Sequence, residues 1–120
     1  MAEGIANKFT CFQAFSAGTR KSSLNPYAVK VMSEIKIDIT SQFSKTISEL
    51  EEQDFKYVFT LCSDAEENCP VFLHGKTIHI AFDDPPKLTE NIEDEIQILN
   101  IYRKVRDEIL DCILNISNYI

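Results

Sequence analysis

The stretch Tyr57-Val58-Phe59-Thr60-Leu61-Cys62 is apolar at nearly every position, and this does most to narrow what the chain can become. A strand with one wet face alternates polar and apolar residues; a near-continuous apolar run suits a parallel strand covered on both faces. Thr77 to Phe82 repeats the pattern, and Asp83-Asp84-Pro85-Pro86 ends it, because proline cannot donate to a ladder. Parallel strands need crossovers, and helical segments stand between the strand candidates. The class expected is α/β, a parallel sheet flanked by helices on both faces.

The helical signals are local. Met1 to about Cys11 reads as a helix with Ile5 and Phe9 on one face, although no capping residue introduces it. Phe12 to Ser16 reads as a short strand closed by Ala17-Gly18. Asn25 caps a helix with Pro26 in its first turn and Ala28, Val29, Met32 and Ile35 along its stripe. Ile35, Ile37 and Ile39 alternate with Lys36 and Asp38 as an extended segment would. Thr46 and Glu49 have capping-box spacing, which predicts a short helix carrying Ile47 and Leu50. The last 30 residues read as one helix, capped by Asn91, with Ile98, Tyr102, Val105, Ile109, Cys112, Ile113 and Ile116 forming a buried stripe. With 120 residues, no repeat and no linker, residues 1–120 are expected to form a single domain.

A formal net charge of −7 argues against nucleic acid and anionic lipid, since phosphate binding needs a basic face. No apolar run approaches the roughly 20 residues of a membrane span. Met1-Ala2-Glu3-Gly4 lacks the basic stretch and apolar core of a secretory signal, so the expected location is cytoplasmic. Cys11, Cys62, Cys69 and Cys112 are then better read as packed thiols, metal ligands or redox groups than as structural disulfides.

Two segments fall at strand carboxyl ends, where ligand sites gather in open α/β sheets: Thr60 to Pro70, holding Cys62 and Cys69, and Phe82-Asp83-Asp84-Pro85. Across two helical turns Cys62 and Cys69 would stand roughly 10 Å apart. A disulfide needs Cα atoms within about 7 Å, so closing one requires the acidic, anchor-poor segment between them to unwind. That suits a redox switch. The competing reading makes Cys62 a packed strand residue, and a third makes Cys62, Cys69, His74 and His79 a metal site, although their spacing does not match structural zinc. Asp84 could act as a general acid with Asp83 nearby raising its pKa, or simply form a turn.

The residues themselves leave these readings open. Thr60-Leu61-Cys62-Ser63-Asp64-Ala65 ending in Asn68-Cys69-Pro70 resembles the redox segment of thioredoxin-coupled arsenate reductases, which share the low-molecular-weight protein tyrosine phosphatase fold. Phe82-Asp83-Asp84-Pro85 resembles their general-acid loop and Val105-Arg106-Asp107-Glu108-Ile109 their last helix. Met1-Ala2-Glu3-Gly4, Ser16-Ala17-Gly18 and Leu24-Asn25-Pro26 match in order. The resemblance implies arsenate as substrate. A first cysteine, in a Cys-x5-Arg-Ser loop, forms an arseno-thiol; Cys62 displaces arsenite; Cys69 closes a Cys62–Cys69 disulfide; and thioredoxin, the electron donor, reduces it. Asp84 takes the role of the acid on the departing oxygen. No bound cofactor and no metal are implied, and the complete protein is expected to be a monomer.

Two departures modify that expectation. None of the four cysteines begins a Cys-x5-Arg segment: Ala17, Asn68, Gly75 and Asn118 stand where the arginine would be. The family's first strand and anion-binding loop lie before its Met-Ala-Glu-Gly, so an amino-terminally truncated domain is expected, inactive alone and poorly stable with two unpaired sheet edges. Cys11 is expected inside the first helix, in the core. Glu3 and Ser16 match two ligands of a cation site used by some relatives, but Phe43 and Lys45 replace the other two, so no potassium dependence is expected. The alternatives are a low-molecular-weight tyrosine phosphatase or a catalytically dead fragment acting as a binding module.

Overall fold

The structure, a computed structural model, describes residues 1–17, 25–42, 55–61 and 75–120. The predicted helix around Ile47 and Leu50 lies outside them. The chain divides into two compact units: Met1–Ser16 with Ser23–Phe43 and Asp83–Ile120, and Ala17–Ser22 with Ser44–Phe82.

The first unit is helical. Helix α1, Ala2–Phe9, starts at Met1 without a side-chain cap, in keeping with its sequence. Helix α2, Pro26–Glu34, starts where Asn25 accepts from the Tyr27 and Ala28 amides with Pro26 in the first turn. Its buried pair is Val31 and Met32, so the apolar stripe includes Val31 beyond the residues expected. Helix α3 is a single turn, Pro85–Leu88. Helix α4, Glu95–Leu114, is the axle against which α1, α2 and α3 pack.

The cap of α4 is Asp94, not Asn91, because Asp94 Oδ1 accepts from the Ile96 amide at 3.0 Å. Asn91 lies in the preceding turn, where the Ile92 amide bonds to the Thr89 carbonyl at 3.1 Å. The helix also stops at Leu114 and gives way to a 3-10 turn over Ile116–Asn118, so Ile116 is not part of the buried stripe. Ile98, Tyr102, Val105, Ile109, Cys112 and Ile113 are buried as the periodicity required, together with Leu99 and Arg106. Val31, Ile98, Leu99 and Tyr102 form one cluster, with Tyr27, Ala28 and Ile92 packed on it.

Helix α2 ends in a left-handed turn. Lys36 has φ 63°, the Ile37 amide bonds back to the Met32 carbonyl at 3.0 Å, and the Lys36 amide bonds to Ser33 at 3.0 Å. This is a Schellman closure with lysine where glycine is usual. Lys8 Nζ donates to the Lys36 carbonyl at 2.7 Å, placing a cation at the negative end of α2. Beyond the turn Ile37 and Ile39 are buried and Asp38 exposed, as the alternation implied, whereas Ile35 belongs to the helix end.

Phe12–Ser16 is not a strand. Alternate amides in it bond to side chains instead: Phe12 to Thr10 Oγ1 at 3.2 Å, Ala14 to Asn7 Oδ1 at 2.8 Å and Ser16 to Glu3 Oε1 at 3.0 Å. Glu3, Asn7 and Thr10 recur at four and three, so one face of α1 takes the donors a ladder would use.

The second unit holds the sheet. Strands β1, Tyr57–Thr60, and β2, Lys76–His79, run parallel with Tyr57 opposite Lys76 and Thr60 opposite His79. Both are shorter than expected. Neither is buried on both faces: β1 is half-buried except at the buried Thr60, and β2 is exposed except at the half-buried Ile78, because among the described residues each strand has the other as its sole neighbour.

Candidate functional site

The described ends of the two segments singled out in the sequence meet at the carboxyl end of the sheet. Pairing continues past β2, with the Ile80 amide on the Thr60 carbonyl at 2.9 Å and the Phe82 amide on the Leu61 carbonyl at 3.1 Å. Leu61 directly precedes Cys62, and Phe82 directly precedes Asp83-Asp84. Cys62, Cys69 and His74 lie outside the described residues. The Thr60 hydroxyl is buried and stands 2.8 Å from His79 Nδ1, a cross-strand pair that occupies one of the two ring nitrogens. Among the described residues no three His, Cys, Asp or Glu side chains gather as a metal site would require.

Asp84 occupies the N-cap position of α3 with extended backbone, φ −92° and ψ 104°. Its carboxylate makes no capping hydrogen bond and is exposed, so it is open to a substrate or to water. The turn behind it is well anchored. Pro85 is buried, the Leu88 amide bonds to the Asp84 carbonyl at 3.0 Å, and the Thr89 amide bonds to the Pro85 carbonyl at 3.0 Å. The Thr89 hydroxyl adds a bond to the Pro85 carbonyl at 2.8 Å. Two prolines and these local bonds leave the segment few alternative conformations.

Sequence reasoning missed one polar pair between α2 and α4. Asn25 Nδ2 donates to the Tyr102 hydroxyl at 2.9 Å, while Asn25 Oδ1 caps α2. The signal was half present: Asn25 was legible as a cap, but its amide has a second end, and a tyrosine on an apolar helix face needs a partner for its hydroxyl.

The remaining thiols are placed plainly. The first helix ends at Phe9, so Cys11 lies beyond it and is exposed rather than in the core; Cys112 is buried in α4. Of the residues matched to a cation site, Glu3 accepts from the Ser16 amide, while Phe43 and Lys45 lie outside the described residues.

The model of the low molecular weight phosphotyrosine protein phosphatase family matches residues 1–114. The chain belongs to that family. An arsenate reductase of Shouchella clausii is 38% identical over 112 residues, covering 91% of this chain and 78% of the relative. Among solved structures, an arsenate reductase in the oxidized state superposes with a TM-score of 0.69 and 25% identity, covering 99% of this chain and 87% of that one. An arsenate reductase in the reduced state gives 0.65 and 25%, covering 96% and 83%. The α/β fold expected from the sequence is thus that of low-molecular-weight phosphatases. In the described part of this member, helices and a parallel strand pair carry it. No helix among the described residues is long and apolar enough to cross a membrane.

Proposed function

We propose that this member of the family works in arsenate reduction through a thiol relay ending in a Cys62–Cys69 disulfide that thioredoxin reduces. The observation that carries the reading is the ordered pair of segments, Thr60–Pro70 and Phe82–Pro85, in a chain that is 38% identical to an arsenate reductase over 91% of its length. Reducing arsenate to arsenite takes two electrons, which two thiolates supply on becoming a disulfide. In the relay an arseno-thiol is attacked at sulfur by Cys62, and arsenite leaves with the electrons of the S–As bond. Cys69 then attacks Cys62, the Cys62–Cys69 bond forms, and the first thiolate is released. Asp84 protonates the oxygen that departs when the arseno-thiol forms. The first thiol belongs to a Cys-x5-Arg loop that does not occur among the 120 residues, so the part assigned to this chain is the work of Cys62, Cys69 and Asp84. No bound cofactor is assigned. The protein acts as a single-domain cytoplasmic monomer, where thioredoxin is the natural reductant.

A mild oxidant such as diamide should remove two hydrogens from the chain, and peptide mapping should find them lost at Cys62 and Cys69. Thioredoxin with its reductase and NADPH should restore the thiols. A disulfide that forms instead through Cys11, or one that thioredoxin leaves intact, sinks the relay. The family's own description favours a second reading, phosphate-ester hydrolysis, which has no use for a shuttling dithiol. Hydrolysis of p-nitrophenyl phosphate that survives Cys62→Ser and Cys69→Ser, without arsenate-dependent NADPH oxidation in the parent, would select it.

A further inference from the structure

We propose that Thr60 and His79 form a lock on the strand end that leads into Cys62, confining the unwinding needed for a Cys62–Cys69 disulfide to residues after Leu61. The role rests on the dithiol reading of Cys62 and Cys69. In the parallel register Thr60 stands directly opposite His79, and the Thr60 hydroxyl lies 2.8 Å from His79 Nδ1. A hydroxyl both donates and accepts, so either imidazole tautomer makes the bond. Within β1 only Thr60 is fully buried, at 4% exposure, while Tyr57, Val58 and Phe59 are half-buried. The strand is therefore anchored most firmly at its last residue, two before Cys62.

Main-chain bonds continue the same join toward the thiol. The Ile80 amide donates to the Thr60 carbonyl at 2.9 Å, and the Phe82 amide to the Leu61 carbonyl at 3.1 Å. That second carbonyl belongs to the peptide unit that Leu61 shares with Cys62. Thr60, Leu61, His79, Ile80 and Phe82 all belong to one compact unit. A buried hydroxyl costs free energy unless it is bonded, and His79 bonds it from an exposed side chain. An apolar side chain would fill the same strand position; the hydroxyl is the part that packing leaves unexplained. Closing a disulfide removes freedom from the chain that carries the thiols. With the Thr60 end already fixed, less freedom is left to lose, and the disulfide gains on the dithiol. A pair that only stabilised the sheet would favour both forms alike and leave their equilibrium unmoved.

Glutathione redox buffers applied to the full chain read that equilibrium. Glutathione disulfide takes two electrons and two protons from the dithiol and becomes two glutathione molecules. Peptide mapping follows the Cys62–Cys69 bond separately from Cys11 and Cys112. Thr60→Val and His79→Phe should each lower its equilibrium constant about fivefold, the contribution of one hydrogen bond. The double variant should lose no more than either single one, and Thr60→Ser, which keeps the hydroxyl, should match the parent. Amide exchange at Ile80 and Phe82 should quicken in Thr60→Val while Lys76, at the start of β2, keeps its rate. An unmoved equilibrium constant in Thr60→Val overturns the lock. So do losses that add in the double variant, a Thr60→Ser protein as weak as Thr60→Val, or exchange quickened equally at Lys76. A parent in which Cys62 and Cys69 do not pair removes the dithiol reading, and this role with it. A parent that pairs them beside an unmoved Thr60→Val removes the lock alone.

Discussion

Arg106 Nη1 reaches Glu34 Oε1 at 2.8 Å across 72 residues of sequence, joining the last turn of α2 to the middle of α4. The same nitrogen donates to the Val31 carbonyl at 2.8 Å, and Nε bonds Asp107 Oδ1 at 2.9 Å. Arg103 takes the other side of the Glu34 carboxylate, with Nη2 on Oε2 at 2.7 Å. Arg106 is one of two buried polar residues among those described, the other being Thr60, and these bonds are what make its burial tolerable.

Removing Arg106 should be expensive and removing Arg103 cheap. Arg106→Ala leaves the Val31 carbonyl without its donor and opens a gap under α2, costing about 3 kcal/mol. Arg103 is a third exposed and solvent screens its pairing, so Arg103→Ala should cost far less. Urea unfolding of both variants under one condition checks the contrast, and equal losses would refute it.

The Glu34 carboxyl is pulled down to about 2, first by the Arg103 hydrogen bond and then by Arg106, against a desolvation cost that acts in the other direction. Because the folded value lies below the unfolded one, this contribution is fully present above about pH 4.5 and is lost as pH falls toward 2. Glu34 is a third exposed, so screening reduces it to about 1 kcal/mol. Unfolding free energies measured from pH 6 to pH 2.5 should fall more steeply for the parent than for Glu34→Gln.

Lys36→Gly should stabilise the protein. The left-handed conformation at φ 63° costs a lysine about 1 kcal/mol and a glycine almost nothing, while the gain is trimmed by the greater freedom of glycine when unfolded. The Lys8 bond is to the main-chain carbonyl and survives the change. A rise in the urea midpoint is expected, and a fall would mean that the Lys36 side chain contributes more than its backbone costs.

Gly4→Ala should destabilise despite the better helix propensity of alanine. A Cβ at Gly4 would stand 3.0 Å from Ile39 Cγ2, 3.1 Å from Ile37 Cγ2 and 3.3 Å from Gln42 Nε2. Ile37 and Ile39 are buried in an extended segment and have little room to yield. Overpacking of about 2 kcal/mol outweighs the gain of about 1 kcal/mol from propensity. Thermal unfolding of the variant decides the sign.

Features that depend on neighbours along the chain are legible in the amino-acid sequence alone. Asn25-Pro26 announces the start of α2 because a cap and its first turn are adjacent. The three-and-four spacing from Ile98 to Ile113 announces the buried face of α4, because burial along one helix repeats with its pitch. The parallel strands announce themselves by apolar runs. The cap of α4 falls three residues from its expected place because Asn91 and Asp94 both suit the role, and the turn at Thr89 to Ile92 decides between them. Phe12–Ser16 has the look of a strand, since nothing in its composition shows that Glu3, Asn7 and Thr10 take its amides. Membership of the phosphatase family, and the residues proposed for its chemistry, are written in motifs that are short and contiguous.

What only the tertiary structure decided are the long-range polar bonds. Asn25 with Tyr102, Glu34 with Arg106, and Lys8 with the Lys36 carbonyl each join residues that no local pattern links. The physical reason is that propensity and periodicity act over a turn or two of chain, whereas a buried polar group finds its partner only after the helices have packed.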